Sequence, residues 1–396
     1  MFRLLLLLSV WSFSTMLPAQ FQIGHTSITF TDPARNNRAI LTDIYYPADV
    51  AGDDVPLAAG QFPVIQFGHG FVMVWSAYQN FWETFVPEGY ILCFPRTEGS
   101  FSPSHTDFAK DLAFLCFAME AEKVKAASLF FGHIQPRYCV MGHSMGGGCS
   151  VLAHQYNPDL IKCVATFAPA NTNPSAIAVA SEVSVPTLTF AGSYDCIAPP
   201  AQQALLIFEA LDSAACKIYV NLEGGSHCQF ANANTNCNLG EVLSGCGNPP
   251  ISATAQQALM NSLLLPWLNT YLKETPGFLT PLLDLLADAN GFSAINHCKN
   301  VTGLDAPVMA GMEFQILTNP ILKDELVAQL IGSDINTQID FFVYDVSGTL
   351  VGNFLQYPVG AEGSVRIPTG SLQAGMYFLV ALGKDGRNAV RKFVKL

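Results

Sequence analysis

The chain has 396 residues, a formal net charge of −12 at neutral pH and a pI near 5.0. That acidic balance argues against nucleic acids and anionic membranes as partners, because both are negatively charged themselves. Half of the residues are hydrophobic and 13% are charged, so the chain can bury a large core.

Residues 1–20 have the features of a secretion signal. Arg3 supplies the positive start, Leu4–Leu8 the apolar run, and Ala19 ends a small-residue cleavage site. A transmembrane anchor is the alternative, but the apolar run is shorter than the ~20 residues that span a bilayer. We therefore expect an exported protein, secreted or at the cell surface, with no transmembrane anchor. Its 11 cysteines then favour disulfides over metal clusters.

Two antiparallel strands are predicted directly after the leader, where Ser27–Phe30 and Ile40–Tyr45 alternate between apolar and polar residues. Strands and helices then alternate from Pro63 to Leu272, which is typical of a doubly wound, mostly parallel α/β sheet. The clearest helices are Phe108–Ala127 and Ala255–Leu272. We expect the main domain to cover residues 21–275.

The first parallel strand, Phe62–Phe67, runs into the turn Gly68-His69-Gly70-Phe71. A His-Gly turn after a strand can place a backbone N–H against the negative oxygen that develops in acyl transfer. The N–H of Phe71 is the candidate donor. The sequence therefore predicts one half of an oxyanion hole here.

An aromatic run follows that turn at i, i+3, i+4 spacing. Its members are Trp75, Tyr78, Phe81, Trp82 and Phe85. The spacing predicts one buried face of a helix. A ligand platform is the alternative.

A nucleophile elbow is predicted where the apolar strand Tyr138–Met141 enters Gly142-His143-Ser144-Met145-Gly146. Such a sharp strand-to-helix turn needs glycine at its flanks and lifts Ser144 into the open. The backbone N–H of Met145, the residue after the nucleophile, would be the second oxyanion donor. Because the bare pentapeptide also arises by chance, a helix N-cap is the alternative role for Ser144.

The acid and the base follow in the chain order of a hydrolase triad. The pattern of Val185–Gly192 predicts a buried strand before Asp195, and that of Lys217–Leu222 predicts another before His227. Ser144 needs a base to take its proton, because a free hydroxyl is a poor nucleophile. His227 can be that base, and Asp195 can fix its tautomer and stabilise the imidazolium.

Other acids and histidines are weaker candidates for these roles. They are Asp159, Asp212, His69, His143 and His154. The two acids are placed at predicted helix ends, and none of the three histidines follows a strand after Asp195. We expect structural roles for all five.

These features together resemble a known group of enzymes. Residues 21–275 resemble a secreted α/β-hydrolase of the dienelactone hydrolase, chlorophyllase and cutinase-like polyester hydrolase group. The matching pieces are Gly68–Phe71, Gly142–Gly147, Asp195 and Gly225–His227. The resemblance implies a serine esterase that cleaves a small-molecule or polymeric carboxylic ester through an acyl-enzyme, without a metal or an organic cofactor.

One place departs from the polyester hydrolases of that group, which usually carry a tryptophan after the strand that follows the nucleophile helix. Here that strand, Cys163–Phe167, runs into Ala168-Pro169-Ala170-Asn171-Thr172. An aromatic clamp for a polymer ring is therefore missing at this place. Polyester cleavage stays an alternative, beside an acyltransferase and a non-catalytic binding relative.

Four residues flank the predicted catalytic atoms and are candidates to line the substrate site: Phe71, Met145, Asn171 and Ile197. Core packing is the equal alternative for Phe71 and Ile197. Residues 229–253, which are rich in Asn, Gly, Cys and Pro, are predicted to form a long loop at the substrate rim.

Two disulfides are predicted beside the site. Cys196 follows the proposed acid and Cys228 the proposed base, so a Cys196–Cys228 bond would tether the two catalytic loops. A Cys237–Cys246 bond would close the loop after the base. Four further cysteines lie in apolar strand or helix patterns and are predicted to be buried thiols: Cys93, Cys116, Cys139 and Cys163.

Residues 276–312 are predicted to be a linker with a short helical run at Leu282–Ala287, and Cys298 within it has no assigned partner. From residue 313 the pattern changes to short strands separated by Gly, Asn and Asp turns, which predicts a small all-β sandwich over 313–396. The predicted strands are Phe314–Thr318, Leu326–Leu330, Asp340–Tyr344, Gly363–Ile367, Met376–Leu382 and Asn388–Val394.

The small domain resembles the C-terminal sorting domain of type IX secretion cargo in Bacteroidota. The matching pieces are Asn319-Pro320, Val343–Gly348, Leu372–Phe378 and Lys392–Leu396. The resemblance implies the type IX secretion machinery as a partner. A generic adhesive or carbohydrate-binding module is the alternative, and we expect the whole protein to be a monomer.

Overall fold

The computed structural model describes residues 21–275, 278–287, 290–298, 313–321, 324–331, 339–345, 350–359, 363–383 and 388–395. The predicted signal at residues 1–20 lies outside the described residues, as do residues 299–312 of the predicted linker. Residues 346–348 and Leu396, which belong to two of the matching pieces of the small domain, also lie outside them. Within the described part of the chain, no helix is both long and apolar enough to cross a bilayer.

The larger sheet has ten strands among the described residues, and its central strands are parallel. The strands are β1 (Gln22–Asp32), β2 (Arg38–Ala48), β3 (Gly52–Asp53), β4 (Phe62–Gly68), β5 (Ile91–Pro95), β6 (Ile134–His143), β7 (Ile161–Phe167), β8 (Thr187–Gly192), β9 (Cys216–Leu222) and β10 (Phe292–Cys298). Their order is β10-β9-β8-β7-β6-β4-β5-β2-β1-β3. The predicted doubly wound α/β-hydrolase sheet and its antiparallel entry strands are confirmed.

Helices cover both faces of this sheet. They are α1 (Gln79–Phe85), α2 (His105–Glu122), α3 (Met145–Tyr156), α4 (Ala176–Val179), α5 (Ala204–Glu209), α6 (Thr235–Leu243), α7 (Ala253–Tyr271) and α8 (Leu279–Ala287). One core cluster contains Phe67, Phe81 and Trp267, and a second contains Phe108 and Tyr138. Because both faces are buried, the central strands are almost continuously apolar, as parallel sheets require. Tyr78, Phe81, Trp82 and Phe85 are buried and Trp75 is half-buried against the same cluster, so the predicted core face is confirmed for four of the five aromatic residues.

One edge strand of the larger sheet comes from beyond residue 275 of the chain. β10 pairs antiparallel with β9 along its whole length, from Phe292 opposite Leu222 to Cys298 opposite Cys216. These two cysteines form a disulfide, which gives Cys298 its partner. Part of the segment predicted to be a linker therefore belongs to the larger sheet. The predicted helical run inside it is found as α8.

The C-terminal residues form two small antiparallel sheets. One contains β11 (Glu313–Ile316), β12 (Glu325–Ile331) and β15 (Ser364–Pro368); the other contains β13 (Ile339–Asp345), β14 (Leu350–Tyr357), β16 (Gly375–Gly383) and β17 (Asn388–Lys395). Residues of both sheets form one buried cluster, which includes Phe314, Leu326, Phe341 and Phe393. The predicted all-β sandwich is confirmed. β14 is a strand that the sequence pattern did not predict.

Candidate active site

Ser144 sits at a sharp turn between β6 and α3. Its backbone has φ 54° and ψ −117°, a conformation that costs a non-glycine residue about 1–3 kcal/mol. A Cβ on Gly142 would lie 2.3 Å from the carbonyl oxygen of Gly146, and a Cβ on Gly146 would lie 2.1 Å from that of Gly68. Both glycines are therefore needed for β4, β6 and α3 to meet this closely. The geometry is that of a nucleophile elbow.

The backbone of the elbow is fixed by the neighbouring strand and loop. The N–H of Ser144 donates to the carbonyl of Phe167 at 2.9 Å, and the N–H of Ala170 donates to the carbonyl of Ser144 at 3.0 Å. Both partners lie at or just after the end of β7. The strained conformation is thus held by backbone hydrogen bonds on both sides of the serine.

Asp195 and His227 lie on the loops that follow β8 and β9 and share a hydrogen bond of 2.7 Å between Oδ2 and Nδ1. Their side chains are 0% and 3% exposed. The second carboxylate oxygen of Asp195 accepts the backbone N–H groups of Ile197 and Ala198 at 2.9 and 2.8 Å. Because the carboxylate only accepts, Nδ1 of His227 carries the proton and Nε2 is left free to take another.

The loop that carries His227 is clamped from α7 by Gln256, which is fully buried. The carboxamide of Gln256 accepts the N–H of Ser226 at 2.9 Å and donates to the carbonyl of the same residue at 3.0 Å. Ser226 directly precedes the histidine. Sequence reasoning missed Gln256. The one signal that could have found it is its position four residues after Ser252, the serine that caps α7, which places it in the first turns of the helix.

The loop after β4 carries the predicted oxyanion donor Phe71. His69 is buried with its ring nitrogens 2.9 and 2.8 Å from the carbonyls of Gly70 and Thr97. Burial lowers the pKa of His69, because it disfavours the charged imidazolium. Val72 adopts φ 55°, which is rare for a β-branched residue. The loop is thus held in an unusual shape next to the elbow, as a positioned backbone donor requires.

The four residues predicted to line the substrate site differ in their surroundings. The Phe71 ring is 50% exposed, and Ile197 is 36% exposed. Asn171 is exposed, but its carboxamide oxygen accepts from Ser175 Oγ at 2.8 Å. The Met145 side chain is only 3% exposed and packs in the core cluster around Phe108. Met145 therefore offers the site its backbone, as the first residue of α3, rather than its side chain.

The residues after His227 do not form the long loop that was predicted. They contain α6, whose N-cap Asn234 accepts the N–H of Cys237 at 3.1 Å. The predicted disulfides Cys196–Cys228 and Cys237–Cys246 are wrong, because the structure pairs Cys196 with Cys246 and Cys228 with Cys237. Each catalytic-site loop is therefore joined by a disulfide to the α6 segment and not to the other loop. The loop of Asp195 is joined just after the helix, and the loop of His227 is joined in its first turn.

The helix α6 also contacts the oxyanion loop. Asn236 Nδ2 donates to the carbonyl of Val72 at 2.9 Å, and Glu241 accepts the N–H of Cys228 at 3.1 Å. α6 and the residues just after it therefore link the loops that carry Asp195, His227 and Phe71.

Five cysteines outside the disulfides are buried thiols, namely Cys93, Cys116, Cys139, Cys149 and Cys163. The four predicted thiols are among them.

Exposed apolar side chains lie on α6, on the loops through Phe71 and Ile197, and on the loop after β5. We call them the apolar rim: Phe71, Phe101, Ile197, Leu239, Val242 and Leu243. The rings of Phe71 and Phe101 meet edge to face at 6.4 Å, and Ile197 lies against Gly240 of α6. From Gly224 to Leu272 the sequence has a single acidic or basic residue, Glu241, apart from His227. The chain from the loop of His227 through α7 is thus almost uncharged.

His143, between Gly142 and the elbow serine, is fully buried. Its ring centroid lies 4.7 Å from that of His227, so the elbow and the base meet at the same edge of the sheet. Burial, and then the neighbouring His227, lower the pKa of His143 well below its ordinary value of 6.5. Because it is fully buried, His143 is not exposed to substrate. The structural role predicted for it fits this burial.

A model of the PET hydrolase-like family matches residues 39–244. That span contains Ser144, Asp195 and His227.

Individual relatives match shorter segments. Cutinase 1 of Thermobifida cellulosilytica is 38% identical over 91 residues, which are 23% of this chain and 33% of the relative. Cutinase est2 of Thermobifida alba is 36% identical over 104 residues, or 26% of this chain and 32% of the relative. A bis(hydroxyethyl) terephthalate hydrolase of Streptomyces coelicolor is 27% identical over 193 residues, or 48% and 56%. The chain thus spans about a third of the cutinases and just over half of the third relative.

Proposed function

Because the chain belongs to the PET hydrolase-like family, we propose that it is an exported serine hydrolase that cleaves carboxylic esters. The observation that carries the proposal is the buried 2.7 Å hydrogen bond between Asp195 and His227, beside a serine at a strained elbow. A serine, a carboxylate and an imidazole in this chain order form the triad of α/β-hydrolases. The cutinases and the terephthalate-ester hydrolase among the relatives support the same reaction class.

Acylation begins when the Oγ of Ser144 attacks the carbonyl carbon of the ester and Nε2 of His227 takes the hydroxyl proton. Asp195 holds the proton on Nδ1 and stabilises the imidazolium that results. The backbone N–H groups of Phe71 and Met145 hold the negative oxygen of the tetrahedral intermediate. His227 then gives its new proton to the leaving alkoxide, and the acyl-enzyme and a free alcohol remain.

Deacylation repeats these steps with water. His227 removes a proton from water as its oxygen attacks the acyl carbon, and the same two N–H groups hold the second oxyanion. The bond to Ser144 Oγ breaks, and His227 returns the proton to that oxygen. The products are a carboxylic acid and the free enzyme, so no redox partner or metal is involved in the balance.

The test is turnover by the full chain after removal of the leader, on p-nitrophenyl esters from acetate to palmitate. We expect Ser144→Ala to lower kcat by about 10³-fold or more, which is the scale of a lost nucleophile. Ser150→Ala, on the same helix and fully buried, is the matched control for loss of a serine hydroxyl. Equal turnover by wild type and Ser144→Ala would remove the proposal.

The apolar rim supports a more specific substrate class, namely uncharged esters that present a flat apolar surface, including polyesters. An exposed apolar patch without charge associates with apolar rather than ionic surfaces. The tryptophan clamp of the polyester hydrolases is replaced here by Ala168 and its neighbours, so any contact with a polymer falls to the rim.

Val242 and Val124 give a matched pair for this refinement, because they are 73% and 70% exposed and Val124 lies beyond the end of α2. We expect Val242→Glu to slow release of products from a polyester film by about tenfold, because a charge has to be desolvated at the contact. Hydrolysis of p-nitrophenyl acetate should change less than about twofold. Equal loss in Val124→Glu would show that the rim has no special part.

For the C-terminal residues we propose the sorting role in type IX secretion. The two-sheet sandwich and the matching pieces in Leu372–Phe378 and Lys392–Lys395 support it. Deletion of 313–396 should leave active enzyme in the periplasm and abolish its appearance outside the outer membrane. Unchanged export of the shortened chain would favour an adhesive or carbohydrate-binding module instead.

A further inference from the structure

Three buried hydrogen bonds connect the oxyanion loop to the backbone of His227. The N–H of Gly70 donates to the hydroxyl of Tyr78 at 2.8 Å. That hydroxyl lies 3.0 Å from Nδ1 of His143, and Nε2 of His143 lies 3.0 Å from the carbonyl oxygen of His227. We call this series the Tyr78–His143 bridge. Tyr78 and His143 are both 0% exposed.

The chemistry of the partners sets the direction of each bond. The carbonyl of His227 can only accept, so Nε2 of His143 carries a proton and donates it. A neutral imidazole with its proton on Nε2 has a lone pair on Nδ1, which accepts the hydroxyl proton of Tyr78. The hydroxyl oxygen then accepts from Gly70. Met73 Sδ lies 3.2 Å from the same hydroxyl, but a thioether is the weaker acceptor.

The bridge is sealed by packing on both sides. A Cβ on Gly70 would lie 2.8 Å from Met73 Sδ and 3.2 Å from both the Tyr78 hydroxyl and Nδ1 of His143. The Tyr78 ring packs against Phe67, at 4.7 Å between centroids. Because Tyr78 and His143 are fully buried, a broken bond would leave a buried polar group unsatisfied.

We propose that Tyr78 and His143 are positioning residues, which hold the oxyanion loop and the catalytic histidine in register with each other. This inference rests on the proposed function, because it assigns the bridge a part in that reaction. Gly70 directly precedes Phe71, the proposed oxyanion donor, and the carbonyl held at the other end belongs to the base itself. Neither residue touches substrate; each acts through a neighbour.

A change in register affects turnover more than binding. The N–H of Phe71 has to meet the oxyanion only in the transition state, and Nε2 of His227 has to reach Ser144 Oγ in the same step. A displacement of about 1 Å at such groups can lower the rate by about 10²-fold. Ground-state contact with an ester at the apolar rim does not depend on the bridge.

The first experiment compares Tyr78→Phe with Tyr90→Phe in the full chain. Tyr90 is also fully buried, and its hydroxyl donates to Asn269 Oδ1 at 2.7 Å, so both variants lose one buried tyrosine hydroxyl. We expect Tyr78→Phe to lower kcat by about tenfold or more with KM within about twofold. Tyr90→Phe should keep both constants within about twofold. Equal effects of the two variants on kcat would overturn the proposal.

A double-mutant cycle identifies the bond itself. His143→Gln can still donate to the carbonyl of His227 from its amide, but it places no acceptor where Nδ1 stood. Tyr78→Phe and His143→Gln therefore remove the same bond, and the double variant should lose no more activity than Tyr78→Phe alone. A loss equal to the product of the two single losses would overturn the bridge. If Tyr78→Phe does not fold, the kcat and KM of His143→Gln decide the question.

A spectroscopic reading separates failure of the bridge from failure of the proposed function. In ¹⁵N-histidine-labelled protein, His143 should show an unprotonated Nδ1 and a protonated Nε2, and Tyr78→Phe should shift the signals of both His143 and His227. An unchanged His227 would overturn the coupling whatever the enzyme hydrolyses. Wild-type protein that cleaves no ester, but shows the coupled shifts, would refute the esterase and keep the bridge.

Discussion

The two sides of the candidate site are held by different means. On the acid and base side, Asp195 and His227 sit on loops that two disulfides bond to the α6 segment. On the oxyanion side, the loop through Phe71 is held by close backbone packing and by uncharged hydrogen bonds, such as the one from Asn236 to Val72. A disulfide stabilises the fold mainly by restricting the unfolded chain. Packing and hydrogen bonds instead depend on distances and angles within the folded loop. Perturbations of the two sides should therefore differ in kind.

The largest effect is expected on the acid side, from Asp195→Asn. An amide cannot keep His227 in the tautomer with its proton on Nδ1, so kcat should fall by about 10⁴-fold. The measurement is kcat on a p-nitrophenyl ester. Asp212→Asn is the control, because that carboxylate is 79% exposed and was the alternative acid in the sequence. A large loss in Asp212→Asn and none in Asp195→Asn would reassign the acid.

Removal of the disulfides should lower stability more for the one that closes the longer stretch of chain. Cys196 and Cys246 are 50 positions apart, and Cys228 and Cys237 are 9 apart. Replacing both members by serine should lower the free energy of unfolding by about 4 kcal/mol for the first pair and about 2.5 kcal/mol for the second. Urea unfolding of the two double variants checks the order. A larger loss for the shorter pair would mean that native contacts of α6, rather than chain entropy, dominate.

The oxyanion side should respond to a single methyl group. A Cβ at Gly146 would lie 2.1 Å from the carbonyl oxygen of Gly68, so Gly146→Ala should cost about 3 kcal/mol and displace the loop that follows. A Cβ at Gly247 meets nothing within 4 Å, and Gly247→Ala should stay within about 0.5 kcal/mol. Thermal unfolding and kcat of both variants test this. A harmless Gly146→Ala would mean that β4 and α3 can separate freely.

The smallest effect concerns His143, which lies between the two sides. Because burial lowers its pKa well below 6.5, the unfolded chain binds a proton below that pH that the folded site rejects. The free energy of unfolding should fall as pH drops below about 6.5, by up to about 1.4 kcal/mol per pH unit from this residue. Above pH 6.5 its full contribution is present. His143→Gln should flatten the acid limb of urea-derived stability against pH, and an unchanged slope would contradict the assignment.

The sequence was sufficient to place the residues that follow apolar strands. Ser144, Asp195 and His227 each follow an apolar strand, and parallel strands bring their carboxyl ends to one edge. The sheet itself was predictable for the same reason, because its central strands are apolar throughout.

Features that depend on contacts across the chain were not predictable. The hydroxyl of Tyr78 finds His143 at a separation of 65 residues, while its spacing in the sequence indicates only a core helix face. α6 has only nine residues and none of them is buried, and the flanking Asn, Gly and Cys residues indicated a loop. Because the helix was not predicted, the cysteines were paired wrongly. β10 is mostly exposed at the sheet edge and shows no strand pattern of its own.

The place of β10 also limits where a protease can separate the two parts of the protein and leave the catalytic one intact. A cut near residue 275 would not release the C-terminal part, because the Cys216–Cys298 disulfide and the pairing of β10 with β9 would still hold it to the larger sheet. A cut after Cys298 would release it and leave β10 paired with β9. If maturation includes cleavage, the mature enzyme should end beyond residue 298, and mass spectrometry of its C-terminal peptide would give the position.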